Sequence, residues 1–449
     1  MCSVQEEDLE NVPSQLQGKQ SKEEFGGRRT CMKCASSLAV VVVRLNDPLC
    51  KSCFLAYFTH KFRATIGKAR VIRAGERILL AFSGGLSSSA MLHLVCEGLS
   101  GAAHKKLRFE PGITFIDEGE VLKQSEEERS SYIEQIRGIV SKAEFPFHLV
   151  KLEDIFSRSA QDDASCCKKS ETSEKGEKLK SLFDAMPSVT EKEDLLKILR
   201  NQLLLTMARK EGYSKVMVAD CASRLSVRLL SNVSQGRGGD LPFDTGLSDG
   251  RHDDVIFVRP MREFVTKEIA LYNFFNNVQA VVIPTLSTMS HSHVSIDRLT
   301  EEFVSGLQAD LPFTVSTIFR TGDKLSVKES PDDVASCALC GIPLNVDPTL
   351  LSTLTDGLSA VELNVDNKTT PKSVTESCGS CESGCSNSLA EQPLTRDNIH
   401  EALCYGCRLT FKNVKFNLSD FPSFVMDAAK KSHHRAQMKE QIKDFLLHD

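Results

Sequence analysis

Four C-x-x-C pairs and one serine-glycine turn hold the residue types in this chain best suited to chemistry. Cys31 and Cys34, in C-M-K-C, are followed after fifteen residues by Cys50 and Cys53, in C-K-S-C. This spacing fits the zinc pattern in which two tight turns wrap four thiolates around a tetrahedral ion and leave no coordination position open. Such a site is structural, and a segment this short has little core without its metal. Cys337 and Cys340, in C-A-L-C, and Cys404 and Cys407, in C-Y-G-C, repeat the form with about sixty residues between the pairs. Loop closure cost grows only slowly with length, so the gap does not forbid a second zinc site. The remaining candidate is S-G-G-L-S-S-S, residues 83–89, set between R-I-L-L-A-F and A-M-L-H-L-V. A strand, a glycine turn and a helix start together form an anion site, because glycines let backbone approach a phosphate and the helix N-terminus favours negative charge. Ser83, Gly84, Gly85, Ser87, Ser88 and Ser89 compose it, with the serines as hydroxyl donors. The spacing is not that of a Walker loop, and no charged residue stands among the glycines and hydroxyls.

The elements that must position these groups alternate between strand and helix. R-I-L-L-A-F reads as a buried strand, Ser87 to Leu99 as a helix, I-T-F-I-D and F-H-L-V-K-L as strands, and E-E-E-R-S-S-Y-I-E-Q-I-R-G-I-V-S-K as an amphipathic helix between them. After a break, E-D-L-L-K-I-L-R-N-Q-L-L-L-T-M-A-R-K, K-V-M-V-A-D, A-S-R-L-S-V-R-L-L-S-N-V, D-V-I-F-V-R-P and T-K-E-I-A-L-Y-N-F-F continue the rhythm. The fold class is therefore α/β, with a parallel five-stranded sheet covered by helices on both faces. Ligands of such sheets bind beyond the carboxyl ends of the strands, where the serine loop stands.

Around that domain the chain divides by composition. Residues 1–28 read as a disordered tail and 29–56 as the N-terminal zinc module. The α/β domain spans 57–284, with a polar, mobile insertion at about 160–190. Residues 285–330 read as a helical bridge. Residues 331–449 form the second cysteine module, with a polar insert at about 347–397 and a basic C-terminal helix. Cys378, Cys381 and Cys385 lie in that insert and read as free thiols, with a further ion, or displacement of one of the pairs, as the alternatives. His433 and His434 read as part of a solvated helix face.

Sixteen cysteines in 449 residues do not make a disulfide scaffold of the short secreted kind, and C-x-x-C pairs point to metal or redox work in a reducing compartment. The net charge of −5 sets no bulk demand for nucleic acid. The acidic N-terminus lacks the pattern of a secretory or mitochondrial signal, L-A-V-V-V-V-R-L is too short to span a bilayer, and F-L-L-H-D carries no prenylation motif. An intracellular protein with no membrane partner is expected. Lys61, Arg63, Lys68 and Arg70 fall within three helical turns just ahead of the strand that carries the serine loop, which places them by the ligand edge. Lys430, Lys431, His433, His434 and Arg435 form a second basic cluster, and Arg224, Arg228 and Arg237 fall near the presumed ligand edge. Such groups can contact RNA phosphates.

The loop resembles S-G-G-x-D-S, the pyrophosphate loop of the ATP-pyrophosphatases, called PP-loop enzymes, which adenylate a carbonyl oxygen and release pyrophosphate. I-T-F-I-D-E resembles the family's second strand, and V-R-P-M-R-E-F-V-T-K-E-I-A-L-Y resembles a segment of its tRNA thiolases. With a cysteine module at each end, the order over about residues 29–430 is similar to that of the non-catalytic partner subunits of the cytoplasmic wobble-uridine thiolase. The resemblance implies a PP-loop fold of the adenine nucleotide alpha hydrolase kind, and Asp220, in V-A-D-C-A-S-R-L, as an acid lining the nucleotide site. It also implies ATP and Mg²⁺ as ligands only if the altered loop still binds them. Ser87 stands where active members have the aspartate that organises pyrophosphate and magnesium, and a serine cannot supply that carboxylate. Active thiolases also carry a C-x-x-C within the α/β domain. Here Cys96, Cys166, Cys167 and Cys221 show no such spacing. A pseudoenzyme subunit is therefore expected, with an active thiolase and a zinc-bearing scaffold without RNA contact as alternatives. Its partners by resemblance are a catalytic thiolase subunit in a heteromer, tRNA, which Lys61, Arg63, Lys68 and Arg70 would grip, and, indirectly, a thiocarboxylated ubiquitin-related sulfur carrier. The product would be 2-thiolated wobble uridine in the lysine, glutamate and glutamine tRNAs, made in the cytoplasm.

Overall fold

The computed structural model describes residues 29–43, 46–101, 106–157, 168–252, 254–289, 294–325, 335–344, 395–412, 414 and 421–442. Two compact units result, residues 1–60 and 61–449. In the first, strands β1 (Val41–Val43) and β2 (Asp47–Leu49) form an antiparallel hairpin after the first cysteine pair. Helix α1 (Lys51–Ala69) begins at the second pair.

The second unit is built on a six-stranded sheet in the order β5-β4-β3-β6-β8-β7. Its strands are β3 (Arg77–Ala81), β4 (Glu110–Asp117), β5 (Phe147–Lys151), β6 (Lys215–Met217), β7 (Ser248–Asp249) and β8 (Ile256–Val258). Five of them run parallel, as expected. The sixth, β7, is a two-residue antiparallel edge that S-D-G-R gives no apolar pattern to reveal. Successive residues Ile78, Leu79 and Leu80 of β3 point to opposite faces, and each is at most 1% exposed. Both faces are therefore covered, which is why the strand reads as an unbroken apolar run. Helices α2 (Leu86–Leu99), α3 (Glu126–Val140), α4 (Lys168–Asp184), α5 (Val189–Glu211), α6 (Ala222–Ser234), the short α7 (Leu241–Thr245) and α8 (Thr266–Asn276) lie between and after the strands. On one face Leu204, Leu205 and Ala208 of α5 pack on Leu79, Val216 and Phe257. Gly112 in β4 has a packing reason, since a side chain there would run into the Tyr213 ring.

The chain crosses from β3 outward to β4 and β5, then returns to place β6 on the other side of β3. The carboxyl ends of β3 and β6 thus form a topological switch point, where the crevice of an open α/β sheet opens.

Two expected segments take a different form. Within the insertion read as mobile, Lys168–Asp184 is helix α4, and Leu179, Leu182 and Phe183 are buried. Those three recur at i, i+3 and i+4 behind a lysine-rich start, a single apolar stripe that the charge of the segment masks. Residues 158–167 lie outside the described set. The stretch read as a bridge forms α9 (Leu286–Met289), α10 (Ile296–Asp310) and α11 (Thr314–Gly322). α10 and α11 pack on α6, so this segment thickens the domain rather than leading away from it. Helices α12 (Arg396–Glu401), α13 (Tyr405–Phe411) and α14 (Ser423–Ile442) follow. Cys337, Cys407, Ile399, Leu403, Phe411 and Val425 share one core with Leu182, Leu195 and Leu199 of α4 and α5. The second cysteine module is therefore built into the α/β domain. The expected tail 1–28 and the polar insert, with Cys378, Cys381 and Cys385, lie outside the described residues, as do Cys166 and Cys167.

Candidate functional site

The serine loop keeps the shape of an anion turn. Gly84 has a left-handed φ of +79°, and a Cβ there would meet Ile136 Cδ1 at 2.5 Å. Both the turn and the close approach require glycine. The amide of Val281 donates to Gly84 O at 2.8 Å, and the Asn273 side-chain amide donates to Leu86 O at 2.9 Å. Gly85, extended, caps α2. The hydroxyls divide. Ser88 donates to Gly85 O at 3.0 Å and Ser89 to Gly84 O at 3.1 Å, and both side chains are buried. They hold the loop rather than face a ligand. Ser83 is exposed, with its Oγ 3.2 Å from Ser88 Oγ, and Ser87 is half-buried.

The acids at the carboxyl edge are already neutralised. Asp117 takes two hydrogen bonds from Arg129, at 3.0 and 2.7 Å. Glu118 accepts from Nε and Nη2 of Arg200, at 2.6 and 3.0 Å. Asp220, which follows β6, is held by Arg228 at 2.7 and 3.2 Å and lies 3.6 Å from Arg259. Burial opposes ionisation of Asp220, but Arg228 and Arg259 outweigh it and hold the carboxyl well below the usual carboxylate range. The same network continues away from the loop. Arg259 lies 3.7 Å from Asp249, Asp249 and Asp244 both hold Arg251, and Lys197 reaches Asp244 at 2.8 Å. Cys221 is buried, with its Sγ 3.7 Å from Thr266 Oγ1. Cys96 is half-buried on α2.

The cysteine pairs converge as the spacing requires. The sulfurs of Cys31, Cys34, Cys50 and Cys53 all lie within 4.8 Å of one another, and so do those of Cys337, Cys340, Cys404 and Cys407. Cys34 and Cys50 are 3.8 Å apart, and Cys340 and Cys404 3.6 Å apart. A tetrahedron with metal–sulfur bonds of about 2.3 Å has edges of about 3.8 Å, so both clusters fit a metal ion held by four thiolates. The two are built alike. The amide after each first pair turns back, Ala35 to Cys31 O at 2.8 Å and Gly341 to Cys337 O at 2.9 Å. Ala35 and Gly341 both take left-handed φ, +53° and +73°. Each second pair then opens a helix, α1 or α13, where the helix N-terminus favours thiolate charge. The long gap in the second module does not keep its four sulfurs from converging as closely as those of the first.

The basic residues of α1 do not stand together at the ligand edge, as the spacing alone suggests. Lys61 and Arg63 are about 200° apart around the helix. Lys61 is 3.2 Å from Glu268 and lies over the Phe264 ring at 4.6 Å. Arg63 is half-buried, while Lys68 and Arg70 are exposed. These last two lead into the start of β3, the strand end opposite the serine loop. Lys430, Lys431 and His434 are exposed on α14, whereas His433 contacts Asn398 and Gln437. Among the described residues no helix is long and apolar enough to cross a membrane.

Residues 295–409 match the family model described as "Cytoplasmic tRNA 2-thiolation protein 2". Over its whole length the chain is 40% identical to cytoplasmic tRNA 2-thiolation protein 2-A of Xenopus laevis, covering 99% of that protein. It is 35% identical to cytoplasmic tRNA 2-thiolation protein 2 of Homo sapiens, with 100% of this chain and 98% of that one aligned. Among solved structures it is similar in fold to the U34-tRNA thiolase NcsA from Methanococcus maripaludis, solved with its 4Fe-4S cluster. That match has a TM-score of 0.50 and 15% identity, and covers 68% of this chain and 92% of the other. At these identities and coverages, the chain belongs to the cytoplasmic tRNA 2-thiolation protein 2 family.

Proposed function

We propose that this chain acts in tRNA 2-thiolation as the non-catalytic subunit of a cytoplasmic heteromer, beside a catalytic thiolase subunit. Family membership supports the role in tRNA 2-thiolation. The observation that carries the non-catalytic reading is the state of the carboxyl edge. Ser87 brings no carboxylate to the loop, and Asp117, Glu118 and Asp220 are each held by an arginine. Magnesium wants oxygen ligands, usually one or two carboxylates with the phosphates of the nucleotide. These residues do not fit a magnesium-bound triphosphate.

What this chain would contribute is tRNA grip, stability of the complex, or both. Lys68 and Arg70, exposed at the end of α1, and Lys430 and Lys431 on α14 suit contact with RNA phosphates. The four-cysteine clusters suit structural zinc, since four thiolates close the tetrahedron and leave no position for substrate. The substrates in this reading are the lysine, glutamate and glutamine tRNAs. The partner subunit adenylates O2 of wobble uridine, and a thiocarboxylated ubiquitin-related carrier supplies the sulfur that replaces it.

Reconstitution with ATP, Mg²⁺, sulfur donor and tRNA tests the reading. 2-Thiouridine should form with both subunits and not with this chain alone. Product from this chain alone, abolished by Gly85→Trp, would overturn it.

A further inference from the structure

The second four-cysteine cluster meets the α/β domain through the two residues inside its own second pair. Helix α6 ends in a left-handed turn at Gly236, φ +72°, and the Arg237 amide returns to Asn232 O at 2.8 Å. That turn delivers Gly236 against the Tyr405 ring, where a Cβ would come within 3.0 Å of Cε1. It delivers Arg237 across Gly406, where a Cβ would come within 2.7 Å of Arg237 Cγ. Tyr405 and Gly406 are the residues between Cys404 and Cys407.

Arg237 is 10% exposed at its side chain and is tied down on several sides. Its Nη2 lies 2.8 Å from Asp194 Oδ2, 2.6 Å from Thr410 Oγ1 and 3.5 Å from Gly406 O. Its Nε is buried with no hydrogen-bond partner. A cavity of about 50 Å³ opens beside it, lined by Arg237, Lys197, His252, Cys340, Cys404 and Cys407 among others. The opposite knuckle is held as closely, since a Cβ at Gly341 would meet His252 Cε1 at 2.7 Å. A divalent ion on four thiolates leaves two negative charges, and burying uncompensated charge is costly. Arg237 brings to that point a positive charge that it shares between Asp194 and the thiolates of Cys404 and Cys407. It also fixes the backbone of the turn that carries two of the four sulfurs.

We propose that Arg237 is a positioning residue for the second four-cysteine centre, holding the Cys404–Cys407 turn through Gly406 and Thr410 and offsetting the charge of its thiolates, so that metal affinity there depends on it. The proposal rests on the reading of both clusters as metal centres. No counterpart is needed at the first cluster, where Cys34 is exposed and solvent can screen the charge.

Full-length protein loaded with zinc is titrated with a chelator, and amide hydrogen exchange is followed separately in Tyr405–Phe411 and in Lys51–Ala69. In Arg237→Gln the chelator concentration that releases Tyr405–Phe411 should fall by about 10- to 100-fold, the range for outer partners of metal ligands. The midpoint for Lys51–Ala69 should not move, and Arg237→Lys should recover part of the loss. An unshifted midpoint in Tyr405–Phe411, or an equal shift in both segments, overturns the proposal. Should Arg237→Gln leave Tyr405–Phe411 unprotected before chelator is added, Thr410→Val decides, because it removes one tether and no charge. There, an unshifted midpoint overturns the proposal. Wild-type protein whose protection ignores chelator in both segments would refute the metal reading itself, which separates that failure from failure at Arg237.

Discussion

Asp220 Oδ2 lies 2.7 Å from Arg228 Nη1, so the acid that follows β6 at the switch point is bound to a residue two turns along the helix it introduces. Arg228 and Asp220 are eight residues apart, one in the middle of α6 and the other just ahead of its first turn, and the pair forms without any ligand. An anion site that must also hold a cation needs a carboxylate free to bind it. This edge has lost that freedom at Asp220 as well as in the loop. Restoring one acid should therefore not restore function. Ser87→Asp is expected to leave ATP turnover at the wild-type background in the isolated chain. Turnover above background in a phosphate-release assay would show that the loop alone limits the site.

The same ion pair gives acid stability a direction. The folded pKa of Asp220 is depressed by Arg228 and Arg259 against the opposing effect of burial, while the unfolded carboxyl titrates near 4. The stabilisation is thus present above about pH 4 and is lost as pH falls below it. Asp220→Asn leaves Arg228 and Arg259 facing a neutral amide, at a cost of about 3 kcal/mol at neutral pH. Urea unfolding of the two proteins should show a constant gap between pH 5 and pH 8 that narrows below pH 4. A gap that widens with acid would contradict the assignment.

Cys50 and Cys31 are 4% and 1% exposed, and Cys50 opens α1. Metal binding and folding are coupled in small sites, so losing one thiolate should cost both. Cys50→Ser should remove about one of two zinc equivalents by elemental analysis and speed amide exchange in the first turns of α1. Unchanged zinc content would rule out the four-cysteine assignment.

The parts legible in the sequence were those written locally. The serine loop, the parallel strands and the C-x-x-C pairs depend on periodicity and short spacing, and they fold as read. β7 was hidden because two residues, Ser248 and Asp249, carry no alternation. Helix α4 was hidden because its charge outweighs the stripe of Leu179, Leu182 and Phe183. Arg237 reads only as a basic residue near the ligand edge, and nothing local points to its place against the second cysteine cluster. It follows a helix with its own apolar face, and its partners Asp194 and Thr410 are 43 and 173 residues away. The pairing of the carboxyl-edge acids with arginines was equally silent. A basic residue in a helix looks the same whether it faces RNA or an acid inside the fold.

Lys61 shows that ambiguity and allows it to be tested. Within one helix, Lys61 and Lys68 are seven residues apart and share a side, yet one is held and the other is free to meet solvent. Lys61 is 16% exposed at its side chain against 9% for Glu268, whereas Lys68 is exposed. Removing a partner from a largely buried pair leaves the other charge uncompensated, so Lys61→Ala should lower stability by about 2–3 kcal/mol. It should leave the salt dependence of tRNA binding unchanged once folded protein is compared. Lys68→Ala and Arg70→Ala alter surface positions and should change stability by no more than about 0.5 kcal/mol each. If these two contact phosphates, each loss should flatten the slope of log K against log salt by roughly 0.9, and by less over single-stranded regions. Binding of tRNA by the heteromer across a salt series, with urea unfolding in parallel, separates the two effects. A slope matching wild type in the Lys68→Ala, Arg70→Ala double variant would remove α1 from the RNA surface and leave Lys430 and Lys431 on α14 as the next basic residues to replace.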